Sequence, residues 1–283
     1  MAEHGDMTER KVALVTGASR SVGKGIACAL GSDGWTVYVT ARGSVGQGGP
    51  LDETAEAVTG RGGHGIAVQC DHRDDKQIHE LFTRIADEQN GRIDLLVNNV
   101  WASPKGFAGF TDPFWKRPVD DWDSLIGVGL RATTSPRSRL PSSWCRREAD
   151  DGQHLVVRHA RYLHSVLYGM SKAGLDKMAA DMAVDLRDTG VTALSLWPGL
   201  VKNEAMSARG LDNFQGFPLA NAETPEFIGR VVVALAGDPN VHERSGSTLI
   251  TAEAALDYGV VDVEGNQPDS HRALFGGGPV FGR

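Results

Sequence analysis

The sequence predicts one α/β domain, a doubly wound parallel sheet in three αβα layers, and three observations support that reading. After a polar leader the chain opens on a short β-branched run, Lys11 to Thr16, of the kind buried on both faces of a parallel sheet. A glycine-rich turn and a helix pattern follow at once, and the strand-then-helix alternation repeats along the chain. At 283 residues and 41% hydrophobic, the chain can bury one large core of this class. The formal charge of −7 argues against nucleic acid or an anionic membrane surface as the main partner. Cys28, Cys70 and Cys145 show no metal spacing and fit a reduced, cytoplasmic setting. No apolar run approaches the about 18 residues of a membrane span, and no repeat is present.

The first turn reads Gly-Ala-Ser-Arg-Ser-Val-Gly from Gly17 to Gly23. Glycines between a strand and a helix let the backbone approach a pyrophosphate, while the N–H groups at the helix start face the anion. A tight turn without ligand is the alternative, and the position directly after the first strand favours the nucleotide. The second strand, Thr36 to Thr40, leads into Ala41-Arg42. An acid here would hold a ribose 2′-hydroxyl, whereas arginine accommodates a 2′-phosphate. With no acid at Thr40 or Ala41, Arg20 and Arg42 favour NADP(H), with NAD(H) still possible; two solvated surface arginines are the alternative.

A helix pattern over Leu51 to Val58 precedes a third strand, Gly65 to Cys70, that ends at Asp71. Residues 74 to 89 carry the stripe Ile78, Leu81, Phe82, Ile85 of a helix with one buried face. The fourth strand, Ile93 to Val97, runs into Asn98-Asn99-Val100-Trp101. Trp101, Phe107, Phe110, Phe114 and Trp115 then read as pocket wall or core, and Asp120 to Leu130 as a helix. Tyr168 and Lys172 stand four apart on a helix pattern reaching Leu186, so phenol and ammonium project into the same space. A tyrosine titrates near pH 10 when unperturbed, and a fixed cation favours its phenolate, which suits proton exchange with a substrate. Val191 to Leu196 forms a sixth strand before Pro198-Gly199, residues 203 to 222 suit a mobile lid, Thr224 to Ala236 forms a helix, and Ser247 to Thr251 a last strand.

Thr16-Gly17-Ala18-Ser19-Arg20-Ser21-Val22-Gly23, Asn98-Asn99, Tyr168 with Lys172, and Pro198-Gly199, in that order, resemble the landmarks of the short-chain dehydrogenase/reductase family. Val128 to Arg131, Ser195 to Gly199 and the tail from Asp257 to Gly265 resemble one subgroup of it. The resemblance implies a Rossmann-type fold, a nicotinamide cofactor and a small-molecule carbonyl or alcohol substrate; it also implies a homodimer or homotetramer built on the Tyr168 helix and the one before it, expected only if residues 133 to 161 are out of frame. It also implies Tyr168 and Lys172 as catalytic residues. Cofactor contacts are implied for Gly17, Ser19, Arg20, Ser21, Val22, Gly23, Arg42, Asp71, His72, Asn98, Val100, Tyr168, Lys172, Pro198, Gly199 and Val201. Asp71 would meet the adenine, or else cap the next helix. Four departures are visible. Ser21 replaces a glycine, tolerable if its φ stays negative; Val100-Trp101 replace Ala-Gly; Gly129 stands where many members have a catalytic asparagine; and Asn203 replaces a threonine.

From Thr133 to Arg161 the resemblance stops. The run holds Pro136 and Pro141, lacks an apolar stripe, and has Leu155 and Val156 near the place of the family's serine. Under GC-rich codon usage, regrouping the bases by one position from Ala132 yields an apolar helix pattern. A further shift from Glu148 permits Val-Asn-Ile-Ser-Ser-Phe-Gly, and a third near Arg161 restores the frame. We expect residues 133 to 161 to be read out of frame, a genuine Arg/Ser/Pro-rich loop being the alternative. As printed, the block is expected to leave the sheet a strand short and the site without a hydrogen-bond donor. The resulting expectation is an NADP-dependent oxidoreductase; an NADP-binding pseudoenzyme, or an interaction protein without cofactor, are the alternatives.

Overall fold

A computed structural model describes residues 10–102, 112–131, 153–157, 165–214, 217–276 and 278–279. Phe107, Phe110 and most of the anomalous block therefore lie outside the described residues. The strands are β1 (Val12–Thr16), β2 (Thr36–Ala41), β3 (His64–Gln69), β4 (Leu95–Asn98), β5 (Gln153–Val157), β6 (Thr192–Trp197), the short β7 (Asn213–Phe214) and β8 (Phe217–Pro218), and β9 (Thr248–Ile250). Seven of them form one sheet in the order β3-β2-β1-β4-β5-β6-β9, every pairing parallel. The order reverses between β1 and β4, which opens a crevice at the carboxyl ends of those two strands.

β5 corrects an expectation. The printed sequence does not leave the sheet a strand short: Gln153–Val157 runs between β4 and β6, with Leu95 opposite Gln153 and Leu155 opposite Leu194. A parallel ladder is made by backbone groups, and the run Leu-Val-Val has the residue types strands favour.

Helices cover the sheet because its strands alternate between two apolar faces. Ala13, Val15, Val37, Val39 and Leu95 pack into one cluster with α1 (Ser21–Ser32), α2 (Pro50–Gly60) and residues of Phe227 to Ala236, whereas Val12, Leu14, Tyr38 and Leu96 pack into another with α3 (Asp75–Glu88). A nine-residue π-helix, Asp123–Arg131, stands where the preceding helix was expected, and it packs against α4 (Val166–Asp185). Ser165 caps α4, its hydroxyl accepting from Tyr168 N at 3.2 Å. The remaining α-helices among the described residues are α5 (Glu204–Ala208), α6 (Pro225–Gly237), α7 (Thr251–Asp257) and α8 (Arg272–Phe275). At the crossing of α1 and α6, a Cβ added to Gly25 would lie 2.2 Å from the Pro225 carbonyl, so only glycine allows that approach. None of the described helices is long and apolar enough to cross a membrane.

Candidate active site

The site is assembled at the carboxyl ends of β1, β4 and β6. Thr16 ends β1 fully buried, and its hydroxyl donates to Val97 O (3.2 Å) while accepting from Asn99 N (3.0 Å) and Val100 N (3.1 Å). The Asn99 amide donates in turn to Thr16 O at 2.9 Å and Gly17 O at 3.1 Å, so this asparagine pins the first turn to the fourth. Gly17 has φ +66°, and an added Cβ would lie 2.9 Å from Val100 Cα; at Gly23 it would lie 2.5 Å from Gly17 O. The turn therefore needs glycine twice for its own packing, whatever it binds.

Ser21 departs from expectation: its φ is +48°, in the left-handed region. The turn keeps the conformation that a glycine adopts freely, and the serine bears a strain of order 1–3 kcal/mol typical of such non-glycine positions. Its N–H donates to Glu204 Oε1 at 2.8 Å, an anion supplied by the chain itself at the start of α1. Ser19 and Val22 are half-buried beside it, and Arg20 is exposed.

At the end of β2, Arg42 is exposed, and no ion pair involving Arg20 or Arg42 is present among the described residues. Asp71 does not cap α3; Asp74 does, accepting from Lys76 N at 2.9 Å. Instead Asp71 grips the Arg73 guanidinium, a bond that holds its carboxyl below the usual range. His72 is buried, shares a 2.8 Å hydrogen bond with the Thr40 hydroxyl, and burial pulls its pKa down to about 4. Its Nε2 is thus committed to β2, while its buried Nδ1 has no hydrogen-bond partner. Asn98 is buried, and its amide nitrogen and oxygen both lack a hydrogen-bond partner. Buried orphaned amides are uncommon, and this one fits a polar ligand at the switch point.

Across the crevice, Tyr168 sits one turn into α4 and is 7% exposed. Lys172 Nζ stands 5.5 Å from its ring centroid, as the helical spacing requires. Asp176, one turn further, is buried and accepts from Ser195 Oγ (2.6 Å) and Trp197 Nε1 (3.0 Å), which locks α4 to the end of β6. Pro198-Gly199 follows directly, and Val201 bridges to Glu223, closing the two ends of the 203–222 segment. Asn203 caps α5 through Met206 N.

Several site neighbours were not foreseen. Glu223 is fully buried, accepts from Gly199 N at 2.7 Å, and is pushed up to about 8, chiefly by burial. A Cβ on Gly199 would lie 2.4 Å from His271 Nδ1, so the C-terminal segment also touches this turn. Glu204, Glu223 and His271 sit in polar stretches without periodicity, and no sequence signal singles them out.

A family model described as short chain dehydrogenase matches residues 11–213. The chain belongs to that family. Its members are oxidoreductases that bind nicotinamide cofactors. Among curated relatives, "Dehydrogenase/reductase SDR family member 1" of Homo sapiens is 35% identical over 93% of this chain and 87% of its own length; the Mus musculus protein is 36% identical over the same shares. The resemblance to one subgroup of the family is borne out by these relatives. Among solved structures, a short-chain dehydrogenase of Mycobacterium thermoresistibile superposes with TM-score 0.75 at 24% identity, covering 92% of each chain, which supports the fold.

Proposed function

We propose that this short-chain dehydrogenase is an NADP(H)-dependent oxidoreductase acting on a small-molecule carbonyl or alcohol. The observation that supports the reading most is the buried Tyr168 with the half-buried Lys172 over its ring, across the crevice from the glycine turn, and the orphaned Asn98 amide at the end of β4. The nicotinamide, when bound, supplies or accepts the hydride.

The protein's own part is to bind, orient and move a proton. Gly17, Ser19, Ser21, Val22 and Gly23 would hold the diphosphate, Arg20 and Arg42 the 2′-phosphate, Asp71 and His72 the adenine end. Asn98, Val100, Pro198, Gly199 and Val201 would hold the nicotinamide half, with Lys172 on its ribose. Tyr168 gives its phenolic proton to the carbonyl oxygen or takes it back from the alcohol, and the Lys172 ammonium favours the phenolate between those events. The segment 203–222 is the lid, and Glu204 must leave the Ser21 N–H for a diphosphate to take its place.

Buried reduced Cys28 and Cys70 support a cytoplasmic setting. Val166, Met170 and Val184, exposed along α4, support a homodimer or homotetramer through that helix. We also hold residues 133–161 to be out of frame; resequencing codons 132 to 162 tests this, and peptides of the printed sequence in a digest would refute it. The functional test is turnover of a carbonyl panel with NADPH, with cofactor binding measured in parallel. Turnover is expected; binding without turnover would identify a pseudoenzyme, and no thermal shift with NADPH would point to an interaction protein.

A further inference from the structure

The π-helix turns a buried glycine toward the reacting centre. A Cβ built on Gly129 would meet Trp101 Cδ1 at 3.4 Å, and Trp101 Nε1 and Ser171 Oγ at 4.0 Å. One methyl group fits in ordinary contact, and a side chain extended further toward Trp101 would meet the indole. That indole meets the Tyr168 ring edge-on, with centroids 6.3 Å apart and planes at 88°. Leu125 of the same π-helix, buried, and Leu167 of α4 complete the cluster around the ring. Trp101 is therefore wedged between the bare backbone at 129 and the phenol ring, on the loop that leaves β4.

We propose that Trp101 is a positioning residue for Tyr168, and that the missing side chain at Gly129 is what seats it there. This rests on Tyr168 being the proton donor. An edge-to-face contact fixes the tilt of the ring, and the ring's tilt aims the phenolic oxygen. With Gly129 the indole has room beside the π-helix backbone; a larger residue reaching toward it would push it onto the ring and turn the phenol away. The two positions, on different elements, should thus behave as one unit, their substitutions coupling instead of adding.

The test is a set of variants, Trp101→Ala, Trp101→Phe, Gly129→Asn and Trp101→Ala/Gly129→Asn, assayed for kcat, cofactor affinity and thermal unfolding. Trp101→Ala should lower kcat about tenfold while the NADPH Kd moves less than about twofold, and Trp101→Phe, which keeps an aromatic edge, should recover most of the loss. Gly129→Asn should unfold earlier than wild type, and removal of the indole in the double variant should give back part of that loss. An unchanged kcat in Trp101→Ala, no recovery in Trp101→Phe, or unfolding shifts that simply add would overturn the proposal. Should Trp101→Ala not fold, Trp101→Phe against Trp101→Leu makes the same comparison. If Tyr168→Phe left turnover untouched, the catalytic assignment would fail while the unfolding cycle still reported whether Trp101 and Gly129 are coupled.

Discussion

The two walls of the crevice are held in different ways. The wall made by β1, the glycine turn and the end of β4 is built on main-chain groups: the Thr16 hydroxyl and the Asn99 amide bind backbone N–H and C=O groups of Thr16, Gly17, Asn99 and Val100, and Cβ atoms added at Gly17 and Gly23 would clash with backbone. The wall made by α4, the π-helix and the end of β6 is a side-chain construction: Trp101 against Tyr168, Lys172 over its ring, Asp176 to Ser195 and Trp197. Backbone geometry tolerates few residue types, so the first wall keeps Gly17, Gly23 and Asn99, and Ser21, where the resemblance implies glycine, still holds φ +48°. Side-chain packing can be rebuilt by compensating changes, so the second wall departs from the family pattern at Gly129 and Trp101.

That contrast implies that changes on the second wall strike the rate, and changes on the first strike the fold. The largest effect is expected for Tyr168→Phe, a loss of about 10²- to 10⁴-fold in kcat with cofactor affinity retained, read by steady-state kinetics beside a binding titration. Next is Gly25→Ala behind the first wall, where overpacking against Pro225 should cost about 1–3 kcal/mol in chemical denaturation; a variant as stable as wild type would break the comparison. Arg42→Ala should raise the NADPH KM about tenfold or more through loss of a charge-assisted bond, and leave that for NADH near its starting value. Equal effects on both cofactors would remove the 2′-phosphate from the argument.

The smallest effect is one of pH. The folded pKa of Glu223, about 8, stands above its unassociated value of 4.5 because burial disfavours the carboxylate. Between those values the unfolded chain has released a proton that the folded chain keeps, so stability is greatest below the window and falls as pH rises through it. Glu223→Gln keeps an acceptor for Gly199 N–H without the titration. Its melting temperature relative to wild type should therefore climb from about pH 5 to about pH 8, and a flat difference would show that Glu223 does not titrate in that range.

How much was legible follows the same division. Strand runs, glycine turns and the Tyr168–Lys172 spacing were readable because they are local: their residues lie within a turn of one another. Ser21 misled because its residue type argues for negative φ, whereas the surrounding turn imposes +48°. β5 misled because the stretch around Leu155 and Val156 was judged by the serine it lacks, whereas a parallel ladder needs only backbone groups. Glu204 on Ser21, Glu223 and His271 at Gly199, and Trp101 at Gly129 were illegible because each joins segments far apart in the chain.

By itself the sequence determined the order of the elements and the identity of the chemical groups, since periodicity, turn residues and helical spacing act over a few positions. Only the tertiary structure decided which of those groups face one another across the crevice, how deeply Glu223 and His72 are buried, and what fills the space beside the phenol. Burial and contact depend on the closing of the whole sheet, and no window of neighbouring residues contains that information.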